Sequence, residues 1–169
     1  MKKTVATLLF LVIVLFNTVI LKPTTTGREN ENLQVPDITF AYDGQAVYEN
    51  FFLKLAPGKI PAYKKMMLWD YVYPVIYTAF LFLMGQLLVT HALFKRVFIT
   101  AVFAAFLFDY AENLTQLYLL NELPATHIGL GTVMGMFTTL KWVTALFALF
   151  SVITVLVQAG IKKMVAARQ

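Results

Sequence analysis

The sequence has no cysteine, little charge and only two histidines. Without cysteine there is neither a disulfide nor a thiolate metal site. His91 and His127 fall in predicted loops on opposite sides of a membrane, so a zinc or iron centre is not expected either. The basic residues are not gathered on one soluble face, which argues against a nucleic-acid partner. We therefore expect no cofactor and no resident metal.

Apolar residues are what the sequence has in excess. Of its 169 residues, 59% are hydrophobic and 14% are charged, whereas soluble domains are about half apolar and about a quarter charged. The excess falls in long blocks, as in membrane proteins. The length suits one domain. We predict an all-α fold, a four-transmembrane-helix bundle in a single membrane domain over residues 1–169, with spans at about 5–21, 66–89, 97–120 and 134–158.

The first predicted span follows two lysines at the start of the chain. A basic start and an apolar run also describe a signal peptide, but this run is long for one, and no small-x-small cleavage pattern follows it. We expect an uncleaved span, with a cleaved signal as the alternative.

Residues 22–65 form the one substantial polar segment and are predicted to be a large outer loop. Within it, Asp43 is placed to cap a short helix over about 44–55, which Pro57 and Gly58 end. The helix is amphipathic, and we expect it to lie on the membrane surface or to cap the mouth of the bundle. The apolar residues on its one face are Val47, Tyr48, Phe51, Phe52 and Leu55.

The second span carries Asp70, Pro74 and Tyr77. Proline has no N–H, so the carbonyl four residues before Pro74 loses its helical hydrogen bond, and that carbonyl belongs to Asp70. Irregular backbone at membrane depth is tolerated only inside the protein or beside water. We therefore expect the carboxylate and the carbonyl of Asp70 to face the interior.

The third span carries Asp109, Glu112, Asn113 and Gln116 at spacings that place all four on one helical face. Two acids at a helix centre cost about 5–7 kcal/mol on insertion scales, so the span needs a partner for this face. Lys141 is the only base well inside a predicted span, and we predict that it pairs with the acids.

These residues predict a polar pocket in the outer half of the bundle, with Tyr77 and Tyr110 as hydrogen-bonding walls. Fully ionised, it would hold three negative charges and one positive charge. We therefore expect protonation, a bound cation or access of water. The predicted pocket residues are Asp70, Tyr77, Asp109, Glu112, Asn113 and Lys141.

Lysine and arginine in the short loops indicate the orientation of the spans. They place both termini in the cytoplasm and the 22–65 loop outside. Gly131 and Gly135 have the spacing that allows close helix packing. That packing would lie either within the chain or between chains, so oligomerisation through these glycines is one of two alternatives.

Several short motifs follow one another along most of the chain. They resemble those of a set of small bacterial four-span membrane proteins. The resemblance implies a bacterial inner-membrane location and a four-helix layout, but no particular activity. One departure is Gly58-Lys59, where the similar proteins often have Gly-Arg. The motifs are Pro36-Asp37 with Tyr42, Asp70 with Pro74 and Tyr77, Phe108-Asp109 with Glu112-Asn113, and Lys141-Trp142.

The pattern thus predicts an integral inner-membrane protein, in contact with the lipid bilayer, whose outer-half pocket binds a proton, a cation or a small polar ligand for binding or transport. One alternative is a membrane-embedded enzyme acting on a lipid-borne substrate, with Asp109 or Glu112 as the acid–base group. Another is a structural subunit with a buried salt-bridge network. The residues assign no catalytic role, so whether the chain is an enzyme stays open.

Overall fold

The computed structural model describes residues 2–20 and 36–166, and all regular secondary structure within these ranges is helical. The predicted all-α class is confirmed, while the part of the predicted outer loop at 22–35 lies outside the described residues. Two π-helical turns, Phe16–Ile20 and Tyr48–Phe52, continue the first and second α-helices. The α-helices are α1 (Lys2–Leu15), α2 (Gly44–Val47), α3 (Ile60–Leu88), α4 (Ala92–Glu122) and α5 (Ile128–Ala166).

Two helical stretches of the described chain are long and apolar enough to cross a membrane, Pro57–Leu88 and α5. The apolar helix Thr4–Val19 is shorter. Length and composition alone identify these stretches, and buried helices of soluble proteins share both properties. The predicted spans at 5–21 and 97–120 stay predictions.

Helix α4 packs against both α3 and α5, which also contact each other, and α1 packs against α3. Near the α3–α4 turn, Phe98 and Val102 of α4 are fully buried and pack with Leu81 of α3 and Val152 of α5. This apolar cluster fixes one end of the bundle, so the polar face of α4 lies above it, toward the other end.

The other end is closed by the outer loop. Asp43 Oδ1 accepts a hydrogen bond from Ala46 N at 2.8 Å, as predicted for the N-cap of α2. Only the four residues of α2 are α-helical in this segment. The π-helical turn that follows has more residues per turn than an α-helix. Its adjacent Phe51 and Phe52 are both buried. The segment caps the bundle mouth. Its five predicted apolar residues, Val47, Tyr48, Phe51, Phe52 and Leu55, are buried against Met67, Leu119, Leu120 and Met134.

The outer loop packs closely against two glycines of α5, Gly131 and Gly135. A Cβ at Gly131 would lie 2.9 Å from Gly44 Cα, and one at Gly135 would overlap the carbonyl oxygen of Tyr42. Next to them, Thr139 Oγ1 donates to Phe40 O at 3.1 Å. The small-residue face of α5 therefore packs within the chain, and association between chains stays a prediction.

We predict that Gly135→Ala destabilises the protein by about 1–3 kcal/mol, because the added methyl group must displace the backbone at Tyr42. Thermal unfolding in detergent measures the effect. Gly160→Ala is the matched control on the same helix: a Cβ there meets nothing, and alanine is the better helix former by about 1 kcal/mol. Equal unfolding temperatures for the two variants would contradict the docking of the loop on α5.

Candidate functional site

The amine of Lys141 on α5 lies among three carboxylates. Its Nζ is 2.7 Å from Glu112 Oε2 and 4.0 Å from Asp109 Oδ1, both on α4. It also forms an ion pair with Asp37 of the outer loop and lies 3.3 Å from the carbonyl oxygen of Asp37. Lys141 is 6% exposed and Glu112 is fully buried. Charges buried in this way persist only when they are paired.

Asp109 is held by two further side chains. Tyr77 on α3 donates to Asp109 Oδ2 at 2.9 Å, and Asn113 Nδ2 lies 3.2 Å from Asp109 Oδ1. The same Asn113 amide lies 3.1 Å from the carbonyl oxygen of Asp70, the group that Pro74 deprives of its helical partner. The carbonyl group of Asp70 thus receives its hydrogen bond from the polar face of α4.

Asp70 differs from Asp37, Asp109 and Glu112, each of which forms an ion pair with Lys141. In residues 2–20 and 36–166 the carboxylate of Asp70 has no hydrogen bond and no ion pair, and it lines the same cavity as Asp37, Asp109 and Lys141. The structure therefore places Asp70 at the site, and the part of the chain that the structure describes gives it no counter-charge of its own.

The remaining polar residues of α4 tie helices together at other points. Tyr110 donates to the carbonyl oxygen of Tyr71 at 2.6 Å, and Gln116 Nε2 lies 2.8 Å from Tyr63 Oη. Tyr110 thus binds the backbone of α3. Tyr110, Glu112 and Asn113 are not among the residues that line the cavity, whereas Asp70, Tyr77, Asp109 and Lys141 are.

The predicted pocket omitted Asp37. Its carboxylate pairs with Lys141, and its carbonyl oxygen also accepts a hydrogen bond from Trp142 Nε1 at 3.2 Å. The sequence contained one signal, since Pro36-Asp37 and Lys141-Trp142 both belong to the motif set. The spacing of residues along the chain, however, does not indicate that Asp37 contacts Lys141, which lies about a hundred positions further on.

Tyr42 of the same loop lies beside the site. Its hydroxyl is 2.7 Å from Thr138 Oγ1 on α5. Burial raises the pKa of Tyr42, and the nearby Glu112 carboxylate raises it further. Tyr42 therefore stays neutral and acts as a hydrogen-bonding group between loop and helix.

The acids outnumber the base. Carboxylate oxygens of Asp37, Asp109 and Glu112 lie within 4.8 Å of one another, which is close enough for one cation to contact all three. The ammonium group of Lys141 already contacts these oxygens, so it occupies the place that a metal ion would take. With Asp70 added, the site has four carboxyl groups and one amine. Another positive charge or protons would relieve the excess.

A cavity of about 320 Å³ lies beside the cluster, between α1, α3 and α5. Most of its lining is apolar. Along α3 the lining begins at Asp70 and ends at Leu81, and along α5 it begins at Lys141 and ends at Leu149. This volume lies at the lower end of the range for small-molecule sites. The arrangement can bind a ligand with a positive or hydrogen-bond-donating group.

The chain has no match among protein-family models, and comparisons with curated proteins and with solved structures also find none. The site is therefore interpreted from its own geometry.

We predict that Lys141→Met lowers the free energy of unfolding by about 3–5 kcal/mol, because it leaves buried carboxylates without a counter-charge. Denaturant or thermal unfolding in detergent measures the loss. Lys54→Met, at an exposed lysine, should change stability by less than about 0.5 kcal/mol. Adding Glu112→Gln should recover part of the loss. If Lys141→Met unfolded like the parent protein, the ion-pair cluster would not hold the helices together.

Proposed function

We propose that this chain is a four-span membrane protein whose acidic cavity binds a cationic group: a proton, a cation or a small positively charged ligand. The single observation that carries the proposal is the excess of carboxylates around Lys141, with Asp70 unpaired among the described residues and facing the cavity. In a medium of low dielectric constant, such an excess favours uptake of positive charge.

The membrane part of the proposal is supported by the two sides of α4. Its polar residues, including Glu112 and Asn113, face the interior, while Phe103, Leu107 and Leu114 are about half exposed or more. A helix in water buries its apolar side. The reverse pattern suits a lipid environment, in which intramembrane ionisable residues face the bundle interior. On this basis α4 is the third span despite its acids.

The first span is formed in this proposal by α1 with its π turn. Together they cover residues 2–20, and a span needs about 17–25 residues. The distribution of lysine and arginine supports cytoplasmic termini and an outer loop on the periplasmic side. The motif resemblance supports a bacterial inner membrane. The cavity then lies in the outer half of the bilayer, under the loop that contributes Asp37.

The proposal is tested by cation binding to the purified protein in lipid nanodiscs. Sodium, potassium and ethylammonium ions are titrated at neutral pH, and the unfolding temperature is measured against ion concentration. We expect at least one of these cations to stabilise the parent protein saturably. Asp70→Asn should weaken the binding about tenfold or more, which corresponds to about 1.4 kcal/mol. Lower pH should weaken it as well, because protons compete for the carboxylates.

Glu49→Gln is the matched control, since it removes an exposed acid from the outer loop away from the cavity. It should bind cations like the parent protein. If no cation or proton bound, and if Asp70→Asn left stability unchanged, the cluster would be the structural network of the second alternative. If Glu49→Gln weakened binding as much as Asp70→Asn, the effect would come from general surface charge.

A further inference from the structure

We propose that the cavity takes an amphipathic amine, a molecule with a cationic head and a single apolar tail, which enters sideways from the lipid between α1 and α5. The inference rests on the proposed cation site and names the class of ligand that the rest of the cavity fits.

The lining changes character along the cavity. One end holds the acids and the side chains of Tyr77 and Trp142, and the remainder is hydrocarbon and aromatic. A hydrated metal ion would use the first end and leave the second without a partner. An amphiphile would use both, because its head reaches the acids while its tail stays in surroundings as apolar as the acyl chains that it leaves. The apolar part of the lining comprises Phe10, Ile13, Phe80, Leu81, Leu146 and Leu149.

The full length of the cavity sets the length of the ligand from its head at Asp70 to the end of its tail. Along α3 the lining runs from Asp70 to Leu81, a distance of about 16 Å at 1.5 Å per residue, which suits a tail of about a dozen carbon atoms. A cavity of about 320 Å³ is at the small end of the range for ligand sites, which favours a single-chain molecule over a two-chain one.

The cavity opens on the apolar surface of the bundle. Helix α1 packs against α3, where the rings of Phe10 and Phe80 lie 6.0 Å apart. Phe10 on α1 and Leu149 on α5 both line the cavity, and both are also about half exposed. The rim is therefore apolar on two helices. In a membrane this rim faces acyl chains, so a ligand dissolved in the bilayer reaches the site without crossing the outer loop.

Charge complementarity selects the head group. Three acids, Asp37, Asp70 and Asp109, line the cavity together with one base, Lys141, which is already paired with Asp37 and Asp109. The excess of acids favours a cationic head over an anionic one. The indole of Trp142 already lies 5.7 Å from the Lys141 amine, and with Tyr77 it offers aromatic surface to a second ammonium group. A primary amine can pair with Asp70 while its tail follows α3 toward Leu81.

Quenching of tryptophan fluorescence tests the inference. The chain has two tryptophans, and Trp69 is absent from the cavity lining, so Trp69→Phe leaves Trp142 as the reporter. Dodecylamine carrying bromine on its tail is titrated into nanodiscs that contain this protein. Dodecanoate with the same bromine is the control for partitioning into the bilayer. We expect saturable quenching by the amine and only weak, linear quenching by the carboxylate.

Two pairs of variants locate the bound molecule. Ala145→Phe fills the cavity, whereas Val143→Phe adds the same ring at an exposed position of the same helix. Ala145→Phe and Asp70→Asn should each weaken quenching by the amine tenfold or more, while Val143→Phe and Glu49→Gln should leave it unchanged. Circular dichroism and gel filtration establish that each variant is folded. Should Ala145→Phe fail to fold, the comparison of Asp70→Asn with Glu49→Gln decides.

The outcomes separate the two proposals. If ethylammonium stabilises the protein but dodecylamine does not quench saturably, the amphiphile is excluded and the cation site stands. If dodecanoate quenches as strongly as dodecylamine, the signal is partitioning into the bilayer, and the inference falls. If neither amine binds at any concentration tested and sodium and potassium also fail, both proposals fall together.

Discussion

The ion pairs of Lys141 hold together three parts of the chain that are far apart in sequence. Its amine contacts Glu112 and Asp109 of α4 and Asp37 of the outer loop. Burying these groups costs several kcal/mol per ion, which mutual attraction offsets only when the geometry is good and further hydrogen bonds are present. Tyr77 and Asn113 supply such bonds to Asp109. This requirement determines where α4 packs and where the outer loop docks.

The two apolar clusters take their places around this polar layer. One lies near the α3–α4 turn, around Phe98 and Val102, and the other lies under the outer loop, around Phe51 and Phe52. Between them, the interior of the bundle is polar and its surface is apolar along α4. The buried charges add to this packing in fixing the rotation of α4 about its axis, because rotating α4 would expose Glu112.

Much of the site could be predicted because helical geometry is local. The spacing of Asp109, Glu112 and Asn113 fixes their common face, and the effect of Pro74 on the carbonyl of Asp70 follows from the chemistry of proline. The partnership with Lys141 followed from the scarcity of bases in apolar sequence. Asp37 was missed because the docking of a loop depends on tertiary contacts, which the periodicity of the sequence does not reveal. The π-helical turn at Tyr48–Phe52 was missed because it also depends on tertiary contacts. Of the four predicted spans, helix length and composition identify two within the described residues.

The order in which the charges appear during synthesis has a consequence for biogenesis. Every acid of the cluster precedes Lys141 in the chain, so the ribosome completes α4 before it makes the only base that contacts Asp109 and Glu112 within the described chain. For a spanning α4, the translocon must then retain an unneutralised segment until α5 emerges. The two helices would leave the translocon together as a hairpin. A chain truncated before α5 would lack the positive charge that pairs with the acids of α4, so α4 would insert poorly into the bilayer.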